Sequence, residues 1–125
     1  MCGRVSSRNK LFKPGDFLDI KIANRPASTE WGIKLGSNLV YNARQENLFG
    51  YWKDWIDATV EIDMFYEGGH KFFLRERKPI TVAALVDRNA SHVVLVTRPS
   101  IMPVSMFHHR MPLILEPGEV ELIAA

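Results

Sequence analysis

Apolar and polar residues alternate most plainly in the second half of the chain. Over 59–66, Val60, Ile62, Met64 and Tyr66 share one face, the two-residue period of a half-buried strand. Glu67-Gly68-Gly69 follows with turn residues. Residues 70–75, 80–86 and 92–97 are further segments of strand length. Lys78-Pro79 and Asp87-Arg88-Asn89-Ala90 separate them, so hairpins are expected. A short strand over 111–115 and a terminal helix over 117–124 complete that half. The first half is less regular. A strand over 3–7 leads into a polar turn. Pro14-Gly15-Asp16 opens a brief helical turn through Ile22, with Pro and Asp where helix starts favour them. Residues 24–28 read as loop and 39–44 as strand. Over 45–55, Leu48, Tyr51, Trp52 and Trp55 recur at helical spacing. Residues 99–105 are irregular. Many short strands and few helices predict a mainly β (α+β) chain. Its antiparallel sheet would close on itself as a compact barrel, with short flanking helices.

Composition changes this picture mostly by exclusion. The 125 residues suit one domain, 1–125, long enough to bury a single core. Sixteen basic against fourteen acidic residues leave a net charge of +2, which does not by itself announce nucleic-acid binding. Placement says more. Acidic residues gather over 54–63 and 116–121, whereas Arg4, Arg25, Arg44, Arg98 and Arg110 sit beside polar or aromatic motifs. A local basic surface on a nearly neutral protein is therefore open. One cysteine excludes an internal disulfide framework and a multi-cysteine zinc site. No apolar run approaches a membrane span, and the N-terminus lacks the apolar stretch of a signal peptide. The expectation is a soluble, cytoplasmic monomer with no metal, no cofactor and no membrane partner.

That single cysteine is residue 2. If Met1 is removed, Cys2 carries an amine and a thiol on adjacent carbons. Such an aminothiol condenses with an aldehyde to a Schiff base, and the thiol then closes a thiazolidine ring. An α-amino group titrates near ~7.7–8.0 and a free thiol near ~8.5, so both react close to neutral pH. Three further segments combine polar residues with apolar flanks: Tyr41-Asn42-Ala43-Arg44, Phe65-Tyr66-Glu67-Gly68, and Phe107-His108-His109-Arg110-Met111-Pro112. Each is ordinary alone. A glutamate at a strand end is usually a solvated turn residue, and paired histidines usually lie at a surface. Trp31 reads equally as a core residue or a stacking surface, and Trp52 and Trp55 read as packing residues. Met64, Met102 and Met106 read as gap fillers.

Taken in order, the segments resemble the SRAP family, the SOS-response-associated peptidase domain that protects abasic sites in single-stranded DNA. Met1–Arg4 is similar to the family's start, and Asn24-Arg25-Pro26-Ala27-Ser28 to a shortened form of its Asn-x-x-Pro-Thr loop. Trp31-Gly32-Ile33 resembles Trp-Gly-Leu. Asn42-Ala43-Arg44-Gln45-Glu46 resembles Asn-Ala-Arg-Ser-Glu, and Phe65-Tyr66-Glu67 resembles Phe-Tyr-Glu-Trp. Residues 94–97 resemble a strand ending in threonine, and 108–112 resemble His-x-Arg-Met-Pro. The chain is shorter than a typical member. Gly68 stands where the family has a tryptophan, which removes an apolar surface that would shield the glutamate.

The resemblance implies that Cys2, once Met1 is gone, attacks the aldehyde of a ring-opened abasic sugar. Asn42 would hold the amine or the sugar hydroxyls, and Glu67 would shuttle protons and assist Met1 removal. His108, selected over His109 by its spacing to the methionine, would protonate the opened sugar oxygen. Arg4, Arg44 and Arg110 would contact phosphates and Trp31 would stack or wedge. Thr97 would lie with them at the DNA-binding face and support the histidine or the Cys2 backbone. The implied partner is single-stranded DNA, with the protein at the nucleoid when bound. Two other readings stay open from sequence. One is a non-catalytic single-strand-binding module. The other is a cysteine-dependent amidohydrolase or peptidase.

Overall fold

At residue 63 the chain passes directly from one sheet into another. The computed structural model describes residues 2–116 and 121–125. Its strands are β1 (Val5–Ser7), β2 (Lys10–Phe12), β3 (Phe17–Ile22), β4 (Arg25–Trp31), β5 (Ile33–Leu35), β6 (Asn38–Val40) and β7 (Asn42–Arg44). They continue with β8 (Ile56–Ile62), β9 (Met64–Glu67), β10 (His70–Leu74), β11 (Ile80–Val86), β12 (His92–Pro99), β13 (Arg110–Pro112) and β14 (Leu122–Ala124). Among the described residues helix is confined to two 3-10 turns, Gln45–Asn47 and Val104–Met106. The fold is mainly β.

One sheet runs β14-β10-β9-β1-β2. The second runs β11-β8-β3-β4-β12, and β11 also pairs with β12, so the pairing path returns to its start. Strands β13 and β7 add to β12, and β5 and β6 form a separate hairpin. Contrary to a wholly antiparallel expectation, β12 runs parallel to β4 and to β7. These partners lie far apart in sequence, so no hairpin turn imposes their direction.

The apolar run of β12 explains its central place. Val93 and Leu95 enter the main core, with Leu18, Val60, Phe65, Phe72 and Val82, while Val94 and Val96 enter a second cluster with Ala43, Trp52 and Leu85. A strand covered on both faces carries apolar residues without alternation. β11 divides likewise: Val82 and Ala84 face the main core and Leu85 the other.

Several expected elements differ. Pro14-Gly15-Asp16 forms a turn, with Gly15 at φ +100° and the Asp16 N–H donating to the Lys13 carbonyl at 3.0 Å, but no helix follows. Instead Leu18 and Ile20 are buried and Asp19 and Lys21 exposed, a strand alternation that prevails in β3. The expected loop over 24–28 is mostly β4, paired to β3 through a turn in which Ala23 and Asn24 both have positive φ. The expected helix over 45–55 is a 3-10 turn followed by tandem i to i+3 turns, closed by Gly50, Lys53 and Trp55 donating to Asn47, Gly50 and Trp52. Gly50 weakens a helix interior by ~1 kcal/mol, and the tryptophans find their partners by edge-to-face contact at 4.8 Å. Of the expected terminal helix, 117–120 lie outside the described residues, and Leu122–Ala124 instead pair along β10.

The strand expected over 59–66 is two strands. Ala58, Val60 and Ile62 point inward along β8, but along β9 the inward residues are Phe65 and Glu67. Inward parity has shifted by one at Asp63. Its N–H donates to the Ser6 carbonyl at 2.8 Å, and its carboxylate accepts the Arg8 N–H at 2.8 Å. That shift puts a carboxylate where continuous alternation would put an exposed side chain.

Because Leu95 is fully buried on the strand that both cores share, Leu95→Ala is expected to lower unfolding free energy by about 2–5 kcal/mol. Urea denaturation followed by tryptophan fluorescence measures it. A loss under 1 kcal/mol would remove β12 from its central role.

Candidate active site

Four remote segments meet at the inner end of the β9–β10 hairpin. β9 carries Glu67 inward, to 2% exposure. Ahead of β1, Cys2 is fully buried beside Val5 in the main core. β7 brings Asn42, whose Nδ2 donates to the Cys2 carbonyl at 3.1 Å and to the Tyr41 carbonyl at 3.0 Å. Asn42 Oδ1 is buried with no hydrogen-bond partner among the described residues. The loop before β13 brings His108, whose Nδ1 lies 3.8 Å from Glu67 Oε1. Beside these groups opens a cleft of about 260 Å³, lined by Gly3, Arg4, Tyr66, Glu67, Gly68, Gly69 and His108. A wider groove of about 1140 Å³ between β2, β3 and β8 is lined by none of the four.

The electrostatics follow from burial. Desolvation pushes the Cys2 thiol well above its ordinary range, and the nearby Glu67 charge pushes it further. Burial likewise pushes Glu67 up to about 7. Desolvation lowers His108. Its Nδ1 lies 3.0 Å from the Arg110 backbone nitrogen and 3.2 Å from the Arg110 carbonyl oxygen, so the Arg110 backbone holds the ring. At neutral pH the site therefore holds a protonated thiol, a carboxyl near half-titration and a neutral imidazole.

Not every expected residue reaches this cleft. Trp31 is fully buried, its Nε1 donating to the Tyr41 carbonyl at 3.0 Å, so it is a core residue and offers no face for stacking. Arg110 is 4% exposed and committed. Its guanidinium grips both carboxylate oxygens of Glu46, at 2.6 and 3.0 Å, and donates to the Thr97 carbonyl and hydroxyl at 3.1 Å. Neither Arg110 nor the buried Thr97 presents a phosphate contact. Both instead join β12, β13 and the 45–47 turn. Arg44 and Arg4 are exposed, with Arg4 lying over the Tyr66 ring, 5.1 Å from its centroid. His109 is exposed, while His108 faces Glu67.

Residue-by-residue reading of the sequence passed over Glu46, Tyr41 and Phe107. Glu46 stood in the quoted Asn-Ala-Arg-Gln-Glu motif, where an acidic residue beside a motif arginine was the signal. Its bond to Arg110 holds the carboxyl down to about 2. Gly3 packs on Tyr41, since a Cβ there would lie 3.3 Å from the ring. At Gly68, φ is +57° and a Cβ would stand 2.5 Å from the Phe107 carbonyl oxygen. No tryptophan fits this backbone, and the chain that crowds Gly68 is the Phe107 segment. Glu67 is buried despite the missing tryptophan.

Among the described residues no group of three His, Cys, Asp or Glu is placed to hold a metal ion. Among the same described residues no helix is long and apolar enough to cross a membrane.

No family model matches the chain. No curated protein matches it. Among solved structures, the X-ray structure of a protein from Bordetella bronchiseptica, a structural genomics target, is similar, with a TM-score of 0.67. The match is 15% identical and covers 92% of this chain and 84% of that one. The two chains share a fold.

Glu67 titrates at about 7 in the folded chain against an ordinary 4.5, so the native state binds the extra proton between those values. Its contribution to stability is full below about pH 4.5 and is lost as pH rises to about 7. Glu67→Gln is therefore expected to gain stability relative to wild type from pH 5 to pH 8. Melting temperatures at both pH values check this. A constant difference would mean that Glu67 titrates as an exposed carboxylate.

Proposed function

We propose that this chain is a SRAP-like protein that crosslinks Cys2, once Met1 is removed, to abasic sites in single-stranded DNA. The observation that carries the reading is the convergence of Cys2, Asn42, Glu67 and His108 from four remote segments, with Glu67 and His108 lining a cleft and Cys2 and Asn42 buried behind it. The closed pairing path of the larger sheet supports a barrel-like form of that fold. Exposed Arg4 and Arg44 supply cations for phosphates, so the reading no longer needs Trp31 or Arg110 at the DNA.

Chemically, water first hydrolyses the Met1–Cys2 peptide bond, with Glu67 accepting its proton. The freed Cys2 amine adds to the C1′ aldehyde of the ring-opened sugar, and water leaves to give a Schiff base. The thiol sulfur then bonds to the same carbon as its proton moves to the nitrogen, closing the thiazolidine. Aldehyde plus aminothiol gives thiazolidine plus water, with no change in oxidation state. Glu67, near half-titration, takes and returns protons at each stage. Asn42 anchors the Cys2 carbonyl, and its buried Oδ1 offers an acceptor for the amine. A buried, protonated thiol suits ring closure better than attack on an amide by a resting thiolate, which weighs against the amidohydrolase reading.

The test mixes purified protein with single-stranded DNA carrying one abasic site and resolves the products on a denaturing gel. Intact mass is expected to show loss of one methionine and then one DNA adduct. Cys2→Ala abolishes the adduct. Glu67→Gln slows its formation by about 10²–10⁴-fold, the usual contribution of a positioned acid–base group. With Glu67 as proton acceptor, the wild-type rate rises with pH and bends near 7, and the bend is absent in Glu67→Gln. A mature protein that forms no adduct, or one that Cys2→Ala also forms, overturns the reading.

A further inference from the structure

We propose that His70 is a positioning residue, which through its stack on Phe107 sets the imidazole of His108 against Glu67. His70 lies directly across from Glu67 in the β9–β10 register, with Phe72 opposite Phe65 two residues on. The four residues share one face of the hairpin. Phe65 and Phe72 stack at 5.3 Å between centroids within the core, and Phe107 lies 6.1 Å from Phe72. The His70 and Phe107 rings stack at 3.7 Å and 28°. An aromatic column thus rises from the core and ends on the residue that precedes His108.

The same backbone is fixed from two other sides. Gly68 meets the Phe107 carbonyl so closely that no side chain fits between them. Behind, the Phe107 and His108 N–H groups both donate to the Val104 carbonyl at 2.9 Å, and the Ser100 hydroxyl donates to the His108 carbonyl at 2.6 Å. Val104 is fully buried, so that anchor belongs to the core. These bonds hold the loop to itself, whereas the His70–Phe107 stack holds it to the strand pair that carries Glu67. Without the stack, the loop keeps its own bonds but loses its alignment on the carboxylate. A displacement near 1 Å at a proton-transfer site costs about 10²-fold in rate.

The role of His108 in turnover rests on the function proposed above, but its placement is testable without DNA. The groups acting on His108 include the Glu67 carboxylate from β9, the Arg110 backbone, its neighbour His109 and the charge of the N-terminal amine, which also lowers it. NMR titration of the imidazole nitrogens is expected to find His108 below the ordinary histidine range, with Nδ1 hydrogen-bonded to the Arg110 backbone. His70→Ala moves its midpoint up toward that range and weakens the Nδ1 signature. His70→Phe, which keeps the stack, leaves both in place. Phe107→Leu, which removes the stack from the other side, reproduces the His70→Ala shift and decides the matter if His70→Ala does not fold. In the crosslinking assay, His70→Ala slows adduct formation about 10- to 100-fold and His70→Phe stays within about twofold of wild type. An unmoved His108 in both stack-deleting variants, or a His70→Phe variant that behaves like His70→Ala, overturns the proposal. If wild type forms no adduct, the titration still decides the positioning role.

Discussion

The inward placement of one carboxylate, Glu67, constrains everything around it. A desolvated carboxyl is costly when charged, so its surroundings must either neutralise it or let it keep its proton. Here the backbone creates the situation through the parity shift at Asp63, where the chain leaves β8 and enters β9. The shift brings Phe65 into the core two residues before Glu67, so the carboxyl is carried inside by a strand that is otherwise anchored by apolar burial. Sheet pairing, not local propensity, holds the group there.

Two braces keep its surroundings in register. On one side the Arg110 fork joins Glu46 and Thr97, tying the strand after His108 to the segment after Asn42. A buried guanidinium that lost its carboxylate would be left uncompensated, so this pair specifies geometry more than it adds stability. On the other side, Gly68 and the aromatic column seat the residue before His108. The two motif segments 42–46 and 108–112 are therefore linked through Arg110 and Glu46, away from the cleft.

The parts of this arrangement that were legible in sequence are those set by local pattern. The β11–β12 hairpin at 87–90 follows from alternation and turn residues, and Pro14-Gly15-Asp16 does form a turn, but the hairpin expected at Lys78-Pro79 does not form, because β10 and β11 lie in different sheets. What failed was wherever a neighbouring strand, absent from any local window, decided the outcome. The alternation of Leu18 and Ile20 was visible, yet a helix-start signature masked it, and β4 and β8 settled the matter by pairing with β3. Leu122–Ala124 took the open edge of β10. The spacing of Leu48, Tyr51, Trp52 and Trp55 matched a helix because tandem turns that close every third residue also return side chains to one side. At the site, Cys2, Asn42, Glu67 and His108 were named from motif order, but the inward face of Glu67 depended on Asp63. The roles of Trp31 and Arg110 depended on burial, which motif order does not report.

Burying Cys2 and Glu67 together also fixes the order in which protons leave. A shared desolvated space accommodates one negative charge with difficulty and a second far less readily, and the Glu67 charge is itself a cause of the raised thiol. The carboxyl therefore ionises first, near neutrality, while sulfur keeps its proton. His108 does not relieve this by becoming a cation, because its own desolvation favours the neutral ring. A site built to attack amides needs the reverse order, with sulfur ionised at rest and an imidazolium beside it. Condensation with an aldehyde does not. There the amine is the first nucleophile, the carboxyl exchanges protons with it, and the thiol is needed only at ring closure, when its proton has a nitrogen to go to.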